Sequence, residues 1–340
     1  MPKHKPKSPP ERRLNSLQYL RSFCALCVVA FHAEGGINKY WPGSNGWSLI
    51  EWGHYGLPAF FCLSGFVISY SAFARPKNPL NFIWSRAIRI YPAYLVIGSI
   101  YALMLYTLPQ GALANTFTLS IDSISRFFLF NLGRPGGLVY VGWTLFYEMC
   151  FYLLFSLLVK DFRKTSQTPL YAVALSILLI ATSTSELSRI NNFLGGMAIF
   201  TYLSSRNSAS RIAVITAALA CFLSTPETPI ICAIILLITG IEKIIPSLFM
   251  SEKILATGDS SYSIYLCQIL TIGACLRLSS LAASKFPHIL GSYSPYYILT
   301  MITSLTSTIA MGVLMRHFLE KPAYRLLNPS FLEGETARKD

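Results

Sequence analysis

Apolar residues in this chain fall into ten blocks of roughly 17 to 25 residues with short polar punctuation between them. As α-helix, that length crosses about 30 Å of hydrocarbon. The blocks run roughly over 17–35, 49–74, 90–109, 138–160, 169–185, 189–204, 211–224, 228–246, 254–278 and 295–317, several of the middle ones short or interrupted. This pattern predicts an all-α polytopic integral membrane bundle of about ten transmembrane helices. With the N-terminus placed in the cytoplasm, 21 Lys and Arg fall in cytoplasmic segments and six in outer ones, Arg21 being intramembrane. That asymmetry predicts N-in and C-in.

Composition agrees with the pattern: 53% of the 340 residues are hydrophobic and 13% charged, against about 25% charged in soluble proteins. The net charge of +13 is spread over many cytoplasmic loops instead of one patch with interleaved aromatics, which excludes a nucleic-acid binder and fits topology and anionic lipid. All eight cysteines lie in apolar segments. Cys24 and Cys27 form a C-x-x-C without a second pair or a histidine at ligand spacing, so small packing residues are expected, with no metal site and no disulfide framework.

Residues 1–15 read as a disordered basic tail and 326–340 as a cytoplasmic tail, leaving one transmembrane domain over 16–325. The first block holds Arg21 and His32, is long for a signal-peptide core and lacks a small-residue cleavage site, so it is expected to remain as a membrane helix. In the outer gap at roughly 110–137, the apolar patch between Arg126 and Arg134 predicts an interfacial or re-entrant helix. No internal repeat of the kind common in transporters is visible.

Ionisable residues inside the blocks are the candidates for chemistry. Arg21 and His32 are eleven residues apart, which on an α-helix is three turns plus about 20°, on one face and about 16 Å apart in height. Arg21 reads as facing a cavity or as snorkelling to lipid phosphate, and His32 as a proton-transfer group or an interfacial histidine. Arg86 and Arg89 share a face at i and i+3 and suit a phosphate-bearing ligand, although spacing alone favours positive-inside charge. Glu148 lies near mid-depth of its block and requires a partner such as Arg21; Trp143 and Tyr147 flank it, Tyr147 being too deep for a belt aromatic. Glu34, Glu51 and His54 gather at the outer ends of the first two helices, where a carboxylate can fix the tautomer of His32; Glu51 reads equally as loop charge.

Taken in order, LRSFCALCVVAFH, FFCLSGFVIS, RAIRIYP, VGWTLFYE, SSYSIYLCQ and LEKP resemble the motifs of the bacterial membrane acyltransferase-three family, whose members O-acylate extracellular polysaccharides, lipopolysaccharide and related glycans. Singly each motif is weak; six in family order from residue 17 to about 325 are specific. The resemblance implies His32 as the catalytic residue, Arg21 as its companion, Arg86 and Arg89 as the double-arginine motif associated with the acyl donor, and Glu148 as the family glutamate. We add Trp143 and Tyr147 as donor-side contacts and Glu34 and His54 as acceptor-side residues. Pro58 stands where many relatives carry Asp, and Gln268 where a His is frequent.

The implied reaction moves an acyl group, acetyl first, from cytoplasmic acyl-coenzyme A to a hydroxyl of an extracytoplasmic polysaccharide, lipopolysaccharide or lipid-linked oligosaccharide. It would take place in the bacterial inner membrane with no permanently bound cofactor, and His32 would act as general base or as an acyl-imidazole relay. A transporter or flippase of a glycan or lipid intermediate is the competing reading, and a scaffold within a polysaccharide-synthesis complex is a third.

Overall fold

The computed structural model describes residues 14–41, 48–75, 77–107, 120–183, 188–222, 225–290 and 292–328. The two terminal tails expected from the sequence lie largely outside that set. Ten helices of at least 14 residues are found among the described residues: α1 (Asn15–Tyr40), α2 (Gly56–Ala74), α3 (Pro79–Thr107), α4 (Trp143–Ser156), α5 (Pro169–Ser183), α6 (Ser188–Ser204), α7 (Ser208–Cys221), α8 (Glu227–Ile244), α9 (Ser261–Lys285) and α10 (Tyr293–Met315). Each coincides with one apolar block. Five helical stretches, containing α1, α2, α3, α9 and α10, are long and apolar enough to cross a membrane. Large apolar side chains lie exposed along the outside of the bundle, among them Leu103, Leu153, Ile177 and Leu278, as lipid contact requires.

Helix boundaries differ from the apolar blocks where polar residues carry the helix onward. The third block begins at 90, but α3 starts eleven residues earlier, at Pro79. Asn78 accepts from Leu80 N through Oδ1 at 2.9 Å and precedes a proline at the first helical position, an N-cap followed by a residue with no N–H to satisfy. Arg86 and Arg89 therefore sit within the helix and not in a loop before it. After α10 the chain forms one wide turn over Arg316–Glu320 and continues as Lys321–Leu327.

The inner end of α1 has no side-chain cap of its own. The Glu242 carboxylate on α8 supplies one, accepting from Asn15 N at 3.0 Å, Ser16 N at 3.3 Å and Ser16 Oγ at 2.6 Å, which also places negative charge at the positive end of the helix dipole. At the other end, Glu34 accepts from Leu49 N and Ile50 N, each at 3.0 Å, and from Tyr297 OH at 2.8 Å. Between these ties α1 packs against α2, α9 and α10. Ala25, Ala33, Ile37, Ile264 and Tyr296 form the core on that side.

A larger core lies among α2 to α6, where Phe193 stacks between Phe61 (4.4 Å between centroids) and Phe151 (4.5 Å). Here α2 and α6 touch backbone to backbone. A Cβ on Gly65 would stand 2.1 Å from Phe193 O, and one on Gly196 2.0 Å from Cys62 O. Gly65→Val and Gly196→Val are each expected to lower stability by about 1–3 kcal/mol or more, seen as a lower Tm in detergent. Gly240→Ala, whose new Cβ meets nothing within 4 Å, is expected to leave Tm unchanged or raise it.

Candidate active site

Two cavities lie along α1, one at each end of the arginine–histidine stripe. The one at the Arg21 end, named inner for its place toward the N-terminus of α1 as the other is named outer, is about 90 Å³ and is lined by Arg21 of α1, Ser64 of α2, Arg86 and Arg89 of α3, Glu148 and Tyr152 of α4, and Tyr262 and Tyr265 of α9. Each side chain arrives by helix periodicity: Arg86 and Arg89 are one turn apart, as are Glu148 and Tyr152. Arg21 lies within the field of Arg89 and Glu148, and Arg89 within that of Glu148, Tyr152 and Glu320.

Among the described residues, the ion pairs shorter than 4 Å are Arg126 with Asp122 and Arg316 with Asp259. None of the three cavity arginines is paired at that distance. Arg86 rests against the rings of Phe82 (5.3 Å) and Tyr152 (5.4 Å), and its Nε is buried without a hydrogen-bond partner. Glu148 accepts from Tyr152 OH and, at 3.5 Å, from Ser64 Oγ. The cavity thus brings Arg21 and Glu148 together, as the buried carboxylate required, but they do not form a close ion pair. Three guanidiniums beside one carboxylate leave an excess of positive charge in a poorly solvated place, an arrangement that stabilises a bound anion.

Pro92 removes an N–H from the middle of α3 and so leaves the Ile88 carbonyl without its helical donor. Nearby, Tyr262 OH donates to Ile90 O at 2.7 Å, fixing α9 to α3 at the wall of the cavity. Ser263 of α9 donates to Glu320 in the wide turn after α10. LEKP stood out in the sequence only as a motif; this bond shows where its glutamate goes.

The outer cavity is larger, about 820 Å³, and is lined by His32, Glu34 and Lys39 of α1, Glu51, Tyr101 of α3, Tyr140, and Gly273 and Arg277 of α9. His32 meets Tyr140 edge-on, with centroids 6.2 Å apart at 89°, and Phe31 at 5.4 Å. Among the described residues its ring nitrogens have no hydrogen-bond partner, so both are available to a ligand and no carboxylate fixes the tautomer. Between the cavities Tyr265 OH shares a hydrogen bond with Thr144 Oγ1 at 2.9 Å and donates to Val141 O at 3.3 Å. Thr144 and Tyr265 line the cavity that holds Arg21, and Val141 follows Tyr140, which lines the cavity that holds His32.

Other sequence-derived candidates lie apart from these cavities or are held by structural contacts. Trp143 and Tyr147 do not line the inner cavity. They enclose Arg189 of α6, whose guanidinium lies 4.5 Å from the Trp143 ring and donates to Tyr147 OH at 3.0 Å. Glu34 lines the outer cavity, but its carboxylate accepts the three bonds that tie down the outer loop. His54 is exposed; its Nδ1 meets the Glu51 carbonyl and its ring stacks near Tyr55 and Phe31. Pro58 falls in the first turn of α2, where its missing N–H is harmless. Gln268 is fully buried, and both its amide atoms lack partners.

The bundle thus carries arginines without close ion pairs at one level and an imidazole without hydrogen-bond partners among the described residues at another, groups whose chemistry suits anions and protons. The chain belongs to the acyltransferase-three family, whose pattern, described as an acyltransferase domain, matches residues 14–313. It is similar to "Acyltransferase MdmB" of Streptomyces mycarofaciens, 29% identical over 189 residues that cover 51% of this chain and 47% of the relative. "Nodulation protein 10" of Rhizobium leguminosarum bv. viciae is 26% identical over 186 residues, 48% of this chain and 49% of the relative. "Exopolysaccharide production protein ExoZ" of Rhizobium meliloti (strain 1021) is 34% identical over 114 residues, 31% of this chain and 33% of the relative. The match thus spans about half the length of the first two relatives and a third of the last. No solved structure matches the chain.

Glu34→Ala strands the backbone N–H groups of Leu49 and Ile50. It is expected to lower stability by about 1–3 kcal/mol per unsatisfied group, measured as a drop in Tm; an unchanged Tm would remove the anchoring role.

Proposed function

We propose that the protein is an O-acyltransferase of the bacterial inner membrane, with all ten helices crossing and both termini in the cytoplasm. It moves an acyl group, most simply acetyl, from acyl-coenzyme A to a hydroxyl of an extracytoplasmic glycan. The observation that carries this reading is the division of α1 between two cavities. Arg21 shares the inner one with two other arginines lacking close ion pairs, and His32 faces the outer one with both nitrogens unpartnered.

Arg86 and Arg89 bind donor phosphates, guanidinium to phosphate oxygen. At about 90 Å³ the inner cavity admits one end of the donor, so the nucleotide stays at the cytoplasmic mouth and the thin pantetheine arm enters. Arg21 steadies the donor arm where it enters the bundle, with Glu148 fixing the local field. At His32 the acceptor oxygen attacks the acyl carbon, the C–S bond breaks, and the hydroxyl proton passes to the imidazole and then to the departing thiolate. In the relay variant the imidazole nitrogen takes the acyl group first and yields it to the hydroxyl.

His32→Ala is expected to reduce transfer from labelled acetyl-coenzyme A by at least about 10²–10⁴-fold while the protein still inserts and elutes as wild type. Near-normal transfer would overturn the assignment. Arg86→Ala and Arg89→Ala are expected to weaken acetyl-coenzyme A binding by about tenfold or more, read by calorimetry on the purified protein. Unchanged affinity would return both residues to a topological role. A transporter would instead move substrate across vesicles without consuming the donor.

A further inference from the structure

A third concavity, about 190 Å³, opens at the His32 end of the bundle. Its walls come from the short helix Ile121–Phe128 and the loop that follows it. The helix lies along the outer half of α3, where Phe127 stacks on Tyr94 with centroids 4.7 Å apart and Tyr94 OH donates to Phe127 O at 3.0 Å. The chain then turns through Phe130, Asn131 and Leu132 at φ +50°, +55° and +52° and Gly133 at +73°. Three successive L-residues in the left-handed region are resisted by sterics and persist only where surrounding structure holds them, commonly at functional sites. Irregular backbone beside a membrane helix must be covered by protein or face water. Here it borders a polar cleft.

The cleft holds unused hydrogen-bonding capacity. Arg126 Nε meets Asp122 Oδ2 at 2.9 Å, with both side chains still reached by solvent (43% and 68% exposed). Asn131 Nδ2 donates to Arg134 O at 2.6 Å, and Asn131 Oδ1 has no partner among the described residues. A carboxylate, a guanidinium and an amide oxygen around a space of this size match the adjacent hydroxyls of one sugar ring.

Leu138 and Val139 line this cleft, and the next residue, Tyr140, lines the His32 cavity. Val139 is extended (φ −105°, ψ 101°), so Gly137 to Tyr140 spans at most ~11 Å, the reach of a short run of linked sugars. We propose that the cleft is a second acceptor subsite, holding a neighbouring sugar of the glycan whose hydroxyl reacts at His32. This rests on the acyltransferase reading and adds that the acceptor is an oligosaccharide recognised away from its reacting ring.

The test uses the full-length protein in nanodiscs on an array of bacterial oligosaccharides and their component monosaccharides, beside acetyl-coenzyme A binding by calorimetry. Wild type is expected to retain oligosaccharides over monosaccharides. Arg126→Gln and Asp122→Asn, both on a partly solvated helix face, are expected to weaken that retention about tenfold, with donor affinity unchanged. His32→Ala should keep oligosaccharide binding. No oligosaccharide retention by wild type, or equal retention by the two cleft variants, overturns the subsite and leaves the donor and His32 results to judge the transferase reading. Cleft-dependent oligosaccharide binding with no donor affinity at all would keep the glycan site and overturn the transferase.

Discussion

Three guanidinium groups share one small space inside a helix bundle with no carboxylate at ion-pair distance, and the rest of the structure accommodates that. An unpaired cation surrounded by hydrocarbon is expensive, so the bundle surrounds these with hydroxyls, aromatic faces and a carboxylate held by Tyr152 and Ser64. That compensation is partial: the buried Nε of Arg86 has no acceptor. In the proposed reading, a donor bearing several phosphate charges completes what the protein leaves incomplete, so affinity and ground-state instability would have the same source.

Holding those groups in place falls to contacts that are themselves unrelated to chemistry. Close approach of α2 and α6 through Gly65 and Gly196 holds α2, which carries Ser64 to the cavity wall. The N-cap at Asn78 begins α3 early enough to bury Arg86 and Arg89 within helix, and Tyr262 secures α9 to α3 at the Ile90 carbonyl, one residue beyond Arg89. The cavity is thus fixed from several helices at once, and no single loop controls its shape.

The ten-helix pattern was legible from apolar block length alone, since a bilayer leaves the backbone few options. The shared face of Arg21 and His32 followed from helix arithmetic. The start of α3 did not, because WSRAIR lowers local hydropathy while backbone hydrogen bonding carries the helix through it. Nor did the contacts of Glu34, whose partners at Leu49, Ile50 and Tyr297 are a loop backbone and a distant helix. Trp143 and Tyr147 looked like donor contacts from proximity to Glu148 in sequence, but they point to Arg189 on another helix. Arg189 lies at the start of an apolar block and carries no spacing signal.

The two ties on α1 also set a length. Glu242 fixes its inner end and Glu34 its outer end, so the segment from Arg21 to His32 is clamped at both sides, and its rise of about 16 Å cannot readily stretch or shorten. Such a helix is a gauge. A donor whose flexible arm is too short for that interval can occupy the arginines and never present its reactive end to the imidazole, so discrimination among carriers rests on reach as well as on charge.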